Sequence, residues 1–262
     1  MAWGPSIAAG ALLYTARHPV TTTPPAGCGN ATFRGEGVTL RGWSCRSRGA
    51  RRGTIVFLHG VADNRSSVAG VVDRFARAGL DVVAYDSRAH GESGGTMCTY
   101  GYYEKADLRR VVATLPGPVV LIGASLGAAV AVLTAAEEPR VRAVVAAEIF
   151  SDLRTVVRER APWFLTPGLV DAALREAETR ARFHVDDVSP DEAAARVYVP
   201  VLLIHGAGDT DTPPAHSQRV FDRLGGPKRL ILVENARHNQ SLRDGAVWGE
   251  VMAWLVEIEL TP

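Results

Sequence analysis

Residues 119–137 read VVLIGASLGAAVAVLTAAE. Val119–Gly123 is an unbroken β-rich run, the pattern of a strand buried on both faces. Ser125–Glu137 reads as a helix that ends before Pro139. Between them stands Gly123-Ala124-Ser125-Leu126-Gly127, a G-x-S-x-G pattern. Alone, that pentapeptide is a weak signal, because Gly and Ser are common. Set between a buried strand and a helix, it says more. So tight a turn forces strained dihedrals on its central residue, and the residues two positions away must be small. Gly123 and Gly127 meet that demand, and Ala124, Ala128 and Ala129 agree with it. The strain lifts the hydroxyl clear of the backbone, at a helix N-terminus whose dipole favours a developing anion. Ser125 is the candidate nucleophile.

Working outward, short apolar runs alternate with helical patterns. Thr54–His59, Val82–Asp86, Val119–Gly123 and Val141–Ala147 read as buried strands. Helices are expected at Ser66–Ala78 (ended by Gly79), Tyr103–Leu115 and Ser125–Glu137. Before them, Val38–Ser44 alternates as a half-exposed strand, with a partner near Ala31–Arg34. After a pause the pattern resumes with a strand at Val201–His205, a helix at Ser217–Leu224, a strand at Arg229–Val233 and a helix at Ala246–Glu259. Strand and helix in alternation call for a mostly parallel sheet with helices on both faces. The pause, about 148–197, holds helical pieces broken by Pro162, Pro167 and Pro190 and reads as an inserted cap or lid. Residues 1–30 read as an apolar segment (Ile7–Tyr14) followed by a Pro- and Thr-rich linker, and 31–262 as one domain carrying the insertion.

A serine hydroxyl needs a base to take its proton. In the fold that this strand, serine turn and helix resemble, the partners follow in the order Ser, acid, His. They should lie just past the C-terminal ends of later strands. Val201–His205 is followed by Gly206-Ala207-Gly208-Asp209, so Asp209 is the candidate acid, with Asp211 as its rival. His238 is the only His after the last strand and is the candidate base. The other histidines have plainer readings, such as turn hydrogen bonding for His59 and His205 at strand ends. Two backbone N–H groups are needed for an oxyanion. Leu126, the residue after the nucleophile, offers one. The loop after Thr54–His59 offers the other at Val61, with Gly60 permitting the sharp turn.

Composition bounds the partners. A net charge of +1 over 262 residues argues for no nucleic-acid or anionic-membrane partner. No Cys/His cluster suggests a metal. Three cysteines (Cys28, Cys45 and Cys98) are not a disulfide framework. The count favours free thiols and a cytoplasmic setting, with membrane association or export as alternatives; Cys28 and Cys45 pair only in an oxidising compartment. Ile7–Tyr14 is far short of the roughly 20 residues that span a bilayer; a helix packing on the domain is expected, with the stump of a longer anchor or an amphipathic docking segment as alternatives.

Taken together, the pieces HG (59–60), DSRAHGES (86–93), GASLG (123–127), PVLLIHGAGD (200–209) and ARHN (236–239) resemble the α/β-hydrolase superfamily over roughly residues 32–260. The stretch TYGYYEKADL (99–108) is similar to the serine-aminopeptidase-like and prolyl-oligopeptidase-like branch, which includes bacterial esterases. The resemblance implies an α/β-hydrolase fold, a Ser125–Asp209–His238 triad and oxyanion donors at Val61 and Leu126. Members of that branch often carry a full N-terminal anchor helix, whereas this chain shows only the short run. Peptidases among them usually carry a β-propeller, of which this sequence shows no sign, or acids for a substrate amine. Glu148 and Asp152 are the candidates here, although both read more simply as helix-start acids.

The expected activity is hydrolysis of a small-molecule carboxylic ester through an acyl-enzyme, with no metal or organic cofactor. Aminopeptidase, amidase and thioesterase activity on the same triad are alternatives, and a non-catalytic binding protein on the same fold is a third reading. Trp163, Phe164, Leu165 and Leu169 in the insertion form an apolar set suited to covering an acyl chain or to packing on the body.

Overall fold

A computed structural model describes residues 4–260. Its centre is an eight-stranded sheet of order β1-β2-β4-β3-β5-β6-β7-β8. The strands are β1 (Cys28–Arg34), β2 (Thr39–Cys45), β3 (Gly53–Leu58), β4 (Leu80–Tyr85), β5 (Val119–Ala124), β6 (Val141–Ala147), β7 (Val201–Gly206) and β8 (Lys228–Val233). From β4 to β8 the neighbours run parallel, while β1 and β2 are antiparallel additions at one edge. Alternation in β5 shows why these runs are continuously apolar. Val119 and Leu121 enter the core on one face of the sheet, and Val120 and Ile122 enter the core on the other.

Helices cover both faces: α1 (Pro5–Leu13), α2 (Val72–Arg77), α3 (Glu104–Thr114), α4 (Leu126–Ala135), α5 (Leu153–Arg160), α6 (Pro167–Ala181), α7 (Pro190–Ala194), α8 (Ala215–Arg223) and α9 (Gly245–Glu257). The helix expected over Ser66–Ala78 is in fact two pieces, a 3-10 turn at Arg65–Val68 and then α2. Asn64 caps the turn through its side chain. Gly70, a poor helix former, falls in the break.

Two close approaches explain the glycines of the central turn. A Cβ on Gly127 would overlap the carbonyl of Leu58 in β3, and one on Gly123 would overlap the Gly127 backbone. Strand and helix therefore cross at backbone contact, which only glycine allows.

Residues 148–197 carry α5, α6, a 3-10 turn at Val185–Asp187 and α7. Asp152 caps α5 by accepting from the Thr155 amide at 2.7 Å. Helix α6 buries Val170, Ala173, Leu174, Ala177 and Ala181, a stripe at three- and four-residue spacing. Helix α1 packs against α6 and buries Ala9 and Leu13. Its C-terminal end is tied down by Tyr100 Oη donating to Leu12 O at 3.1 Å and by the Cys98 amide donating to Leu13 O at 2.9 Å. The following segment is held by Arg17, which donates to Ser93 O at 2.8 Å. Among the described residues no helix is long and apolar enough to cross a membrane.

The reading of three free thiols is corrected. Cys28 and Cys45 form a disulfide, and only Cys98 is free and buried. The cause is register: antiparallel pairing of β1 with β2 sets Cys28 directly opposite Cys45. That pairing is a tertiary fact, invisible in a cysteine count.

Candidate active site

Ser125 caps α4 with φ 51° and ψ −111°. A non-glycine residue there stores strain, of order 1–3 kcal/mol, that the surrounding fold must hold. The holding is visible on both sides: the Ser125 amide donates to Ala147 O of β6 at 2.8 Å, and Ser125 O accepts from Ala129 at 3.1 Å.

The acid and imidazole loops arrive from β7 and β8. They meet through small residues, since a Cβ on Gly206 would overlap Ala236 O, and the Gly208 amide donates to that oxygen at 3.0 Å. Positive φ at Asn235 and Asn239 bends the chain on either side of His238, and Asn tolerates that conformation better than other non-glycine residues. The result is a hydrogen-bonded chain. Ser125 Oγ donates to His238 Nε2 at 3.0 Å, and His238 Nδ1 donates to Asp209 Oδ2 at 2.7 Å.

Asp209 is fixed by more than the imidazole. Its Oδ1 accepts from the amides of Asp211 and Thr212, both at 2.9 Å. His205 Nε2 lies 3.3 Å from Oδ2 and donates to Thr212 O at 2.7 Å. Burial by itself would raise the Asp209 pKa. The bonds from His205, His238 and the Thr212 amide outweigh it and hold the carboxyl well below its ordinary value. Asp211 is exposed and contributes only backbone to this cluster.

The loop bearing Val61 is buttressed from the turn after β4. Asp86 accepts from the Arg65 amide at 2.8 Å and pairs with the Arg65 side chain, both groups buried. His59 Nε2 accepts from the Ser87 amide at 2.9 Å, which leaves its Nδ1 to donate to Gly60 O at 2.7 Å. The DSRAHGES stretch is thus a brace for this loop. The sharp bend, expected at Gly60, falls instead on Ala62, with φ 56°. A Cβ on Gly60 would meet only ordinary contacts, the nearest being Asn239 Oδ1 at 3.5 Å.

Val61, Ser125 and Leu126 line one cavity of about 300 Å³. Its walls come from α1 (Ala8, Ala11, Leu12), α5 with the segment after it, and α6 (Val170, Ala173, Leu174). Phe164 and Leu165 reach it, whereas Trp163 stands 94% exposed and Leu169 lies outside the lining. Glu148 is not the helix-start acid its position suggested. It sits at the end of β6 with φ 47°, and its Oε1 accepts from the Ser241 amide at 3.0 Å. Burial raises its pKa against the opposing bonds from Ser241. Neither Glu148 nor Asp152 lines the cavity.

One residue at the site escaped the sequence reading. Arg160, the last residue of α5, donates through Nε to Asp211 O at 2.8 Å, and its Nη2 bonds Thr212 Oγ1 and lies 3.2 Å from His238 Nε2. A guanidinium only donates. In this contact His238 Nε2 is the acceptor, an arrangement compatible with Nδ1 donating to Asp209. Nothing in the sequence separates Arg160 from Arg154 and Arg158 on the same helix.

Comparison with known proteins agrees with the architecture. A family model described as the alpha/beta hydrolase family matches residues 55–249. The uncharacterized protein YqkD of Bacillus subtilis is 33% identical over 203 residues, 72% of this chain and 65% of the relative, so the chain spans just under two thirds of that protein. The monoacylglycerol lipase of Mycolicibacterium smegmatis is 24% identical over 247 residues, 78% of this chain and 88% of the lipase. An esterase structure from Pyrococcus furiosus superposes with a TM-score of 0.74 at 23% identity, covering 94% of this chain and 97% of that one. At that identity the likeness speaks for the fold.

Proposed function

The chain belongs to the alpha/beta hydrolase family, and on that premise we propose that it is a serine hydrolase that cleaves carboxylic esters with an apolar acyl group. Ser125 attacks the acyl carbon while His238 Nε2 takes the hydroxyl proton. Asp209 holds the proton on Nδ1 and stabilises the imidazolium that forms. The tetrahedral oxyanion rests on the amides of Val61 and Leu126. His238 returns its proton to the leaving oxygen, then activates a water that hydrolyses the acyl-enzyme. Neither step calls on a metal or an organic cofactor.

The observation that carries this reading is the Ser125–His238–Asp209 hydrogen-bond chain, 3.0 and 2.7 Å long, opening on an apolar cavity. At about 30 Å³ per water-sized group, 300 Å³ holds on the order of ten heavy atoms, a medium-length acyl chain. Residues 148–197 serve as the cap that supplies much of the wall. The aminopeptidase reading is weaker, because among the described residues the cavity lining contains no carboxylate to receive a substrate amine.

A fluorophosphonate probe tests the proposal. Wild type should be labelled and Ser125→Ala should not, and p-nitrophenyl octanoate should be cleaved far faster than an amino-acid p-nitroanilide. No labelling, or labelling that survives Ser125→Ala, rules the nucleophile out. A faster anilide moves the activity to peptides.

A further inference from the structure

We infer that Arg160 receives an anionic group on the leaving part of the substrate, so that the preferred ester joins an apolar acyl chain to an alcohol bearing a carboxylate or phosphate. This rests on the serine-hydrolase reading of the same site.

Among the described residues Arg160 is the only charged one in the cavity lining. The other two arginines of α5 are paired with acids, Arg154 with Asp186 and Arg158 with Asp171. Arg160 bonds only neutral acceptors among the described residues: Asp211 O, Thr212 Oγ1 and His238 Nε2. Those contacts occupy Nε and Nη2. The two hydrogens on Nη1 have no hydrogen-bond partner among the described residues. An exposed arginine with Nη1 unengaged at a site mouth can donate to an anion, and moving Nη2 off His238 completes the two-nitrogen edge that a carboxylate or phosphate takes bidentately.

Its position says which part of the substrate that anion belongs to. During acylation the leaving oxygen collects its proton from His238 Nε2, so it must come within hydrogen-bond reach of that nitrogen. Arg160 Nη2 lies 3.2 Å from the same atom. The guanidinium therefore flanks the leaving group, a few ångströms from the scissile bond, while the acyl chain runs into the apolar cavity. The contact also competes with catalysis. Nε2 has one lone pair, and Arg160 Nη2 at 3.2 Å shares it with Ser125 Oγ at 3.0 Å, which weakens the base. An anion a few bonds from the ester oxygen gives the guanidinium a stronger acceptor and releases the base. A neutral leaving group leaves the competition in place.

The test uses matched esters of one acyl chain: O-octanoylglycolate against O-octanoylglycolamide, and 1-octanoylglycerol 3-phosphate against 1-octanoylglycerol. The readout is the anionic-to-neutral ratio of kcat/KM, in wild type, Arg160→Gln and Arg160→Lys. Taking a ratio removes any common effect of the substitution on His238. The expected result is a ratio at least about ten-fold lower in Arg160→Gln than in wild type for one of the pairs, with Arg160→Lys intermediate. The pair that shows the drop identifies carboxylate or phosphate. Rising salt should also compress the wild-type ratio, a readout that needs no variant to fold. Ratios unchanged within about two-fold in both pairs, in proteins that still label with fluorophosphonate, overturn the inference alone. Failure of wild type to label overturns the hydrolase reading and this inference with it.

Discussion

Replacing Asp209 by Asn tests the chemistry at its most constrained point. Oδ1 of Asp209 accepts two backbone amides, from Asp211 and Thr212, both at 2.9 Å. In the variant the amide oxygen must stay there, because turning the NH₂ toward two N–H donors would leave three donors facing one another. The NH₂ is then forced toward His238 Nδ1, where a carboxylate oxygen now accepts at 2.7 Å. Nδ1 must become an acceptor, and the ring proton moves to Nε2. There it faces Ser125 Oγ and the Arg160 guanidinium, so the imidazole can no longer take the serine proton. The geometry survives while the tautomer inverts. A tautomer inverted in this way typically lowers kcat by about 10⁴, or roughly 5 kcal/mol of transition-state stabilisation. The assay is steady-state hydrolysis of p-nitrophenyl octanoate, together with the rate of fluorophosphonate inactivation. Asp211→Asn, which changes only an exposed side chain, serves as the control and should stay near wild type. An Asp209→Asn enzyme within ten-fold of wild type would show the reasoning to be wrong.

Other consequences can be checked alongside it. Ala8 of α1 lines the cavity, and a Phe there would place six ring atoms, at about 30 Å³ each, in a space of about 300 Å³. The octanoate-to-acetate ratio of kcat/KM should fall several-fold, and an unchanged ratio would mean that α1 is not part of the acyl site. Burial, with the neighbouring His59 adding to it, holds His90 down at about 4 against an ordinary 6.5. The unfolded chain then binds a proton that the folded one refuses between those values, so stability is full above pH 6.5 and lost as pH falls toward 4, by up to roughly 3 kcal/mol. Thermal melts at pH 7.5 and 5 that coincide would refute this. The Cys28–Cys45 bond closes a separation of 17 residues, which corresponds to about 3 kcal/mol of loop entropy. Reduction should lower the Tm by roughly 6–12 °C, and denatured protein should titrate one thiol before reduction and three after. Three thiols before reduction would exclude the bond.

The particular residues show where legibility began and ended. The strand Val119–Gly123, the turn at Ser125 and the strand Val141–Ala147 were readable because burial on both faces and a tight turn leave their mark within a few residues. The order Ser125, Asp209, His238 was readable because each lies just past the end of a recognisable strand. Within the same loops, however, the bend fell on Ala62 rather than Gly60, and the helix expected over Ser66–Ala78 split at Gly70. Small differences in local backbone energy decide such points, and neighbours in space tip them.

By itself, then, the sequence determined what local physics controls: the alternation of buried strands with helices, the forced glycines beside Ser125, and the succession of acid and imidazole loops. The tertiary structure alone decided what depends on segments far apart in the chain. It set Cys28 against Cys45 across two strands. It built one cavity from residues 8–12 and 150–174. It brought Arg160 to within 3.2 Å of His238, 78 positions away. No periodicity records such meetings, because the packing of α5 against the acid and imidazole loops, rather than any local preference, creates them.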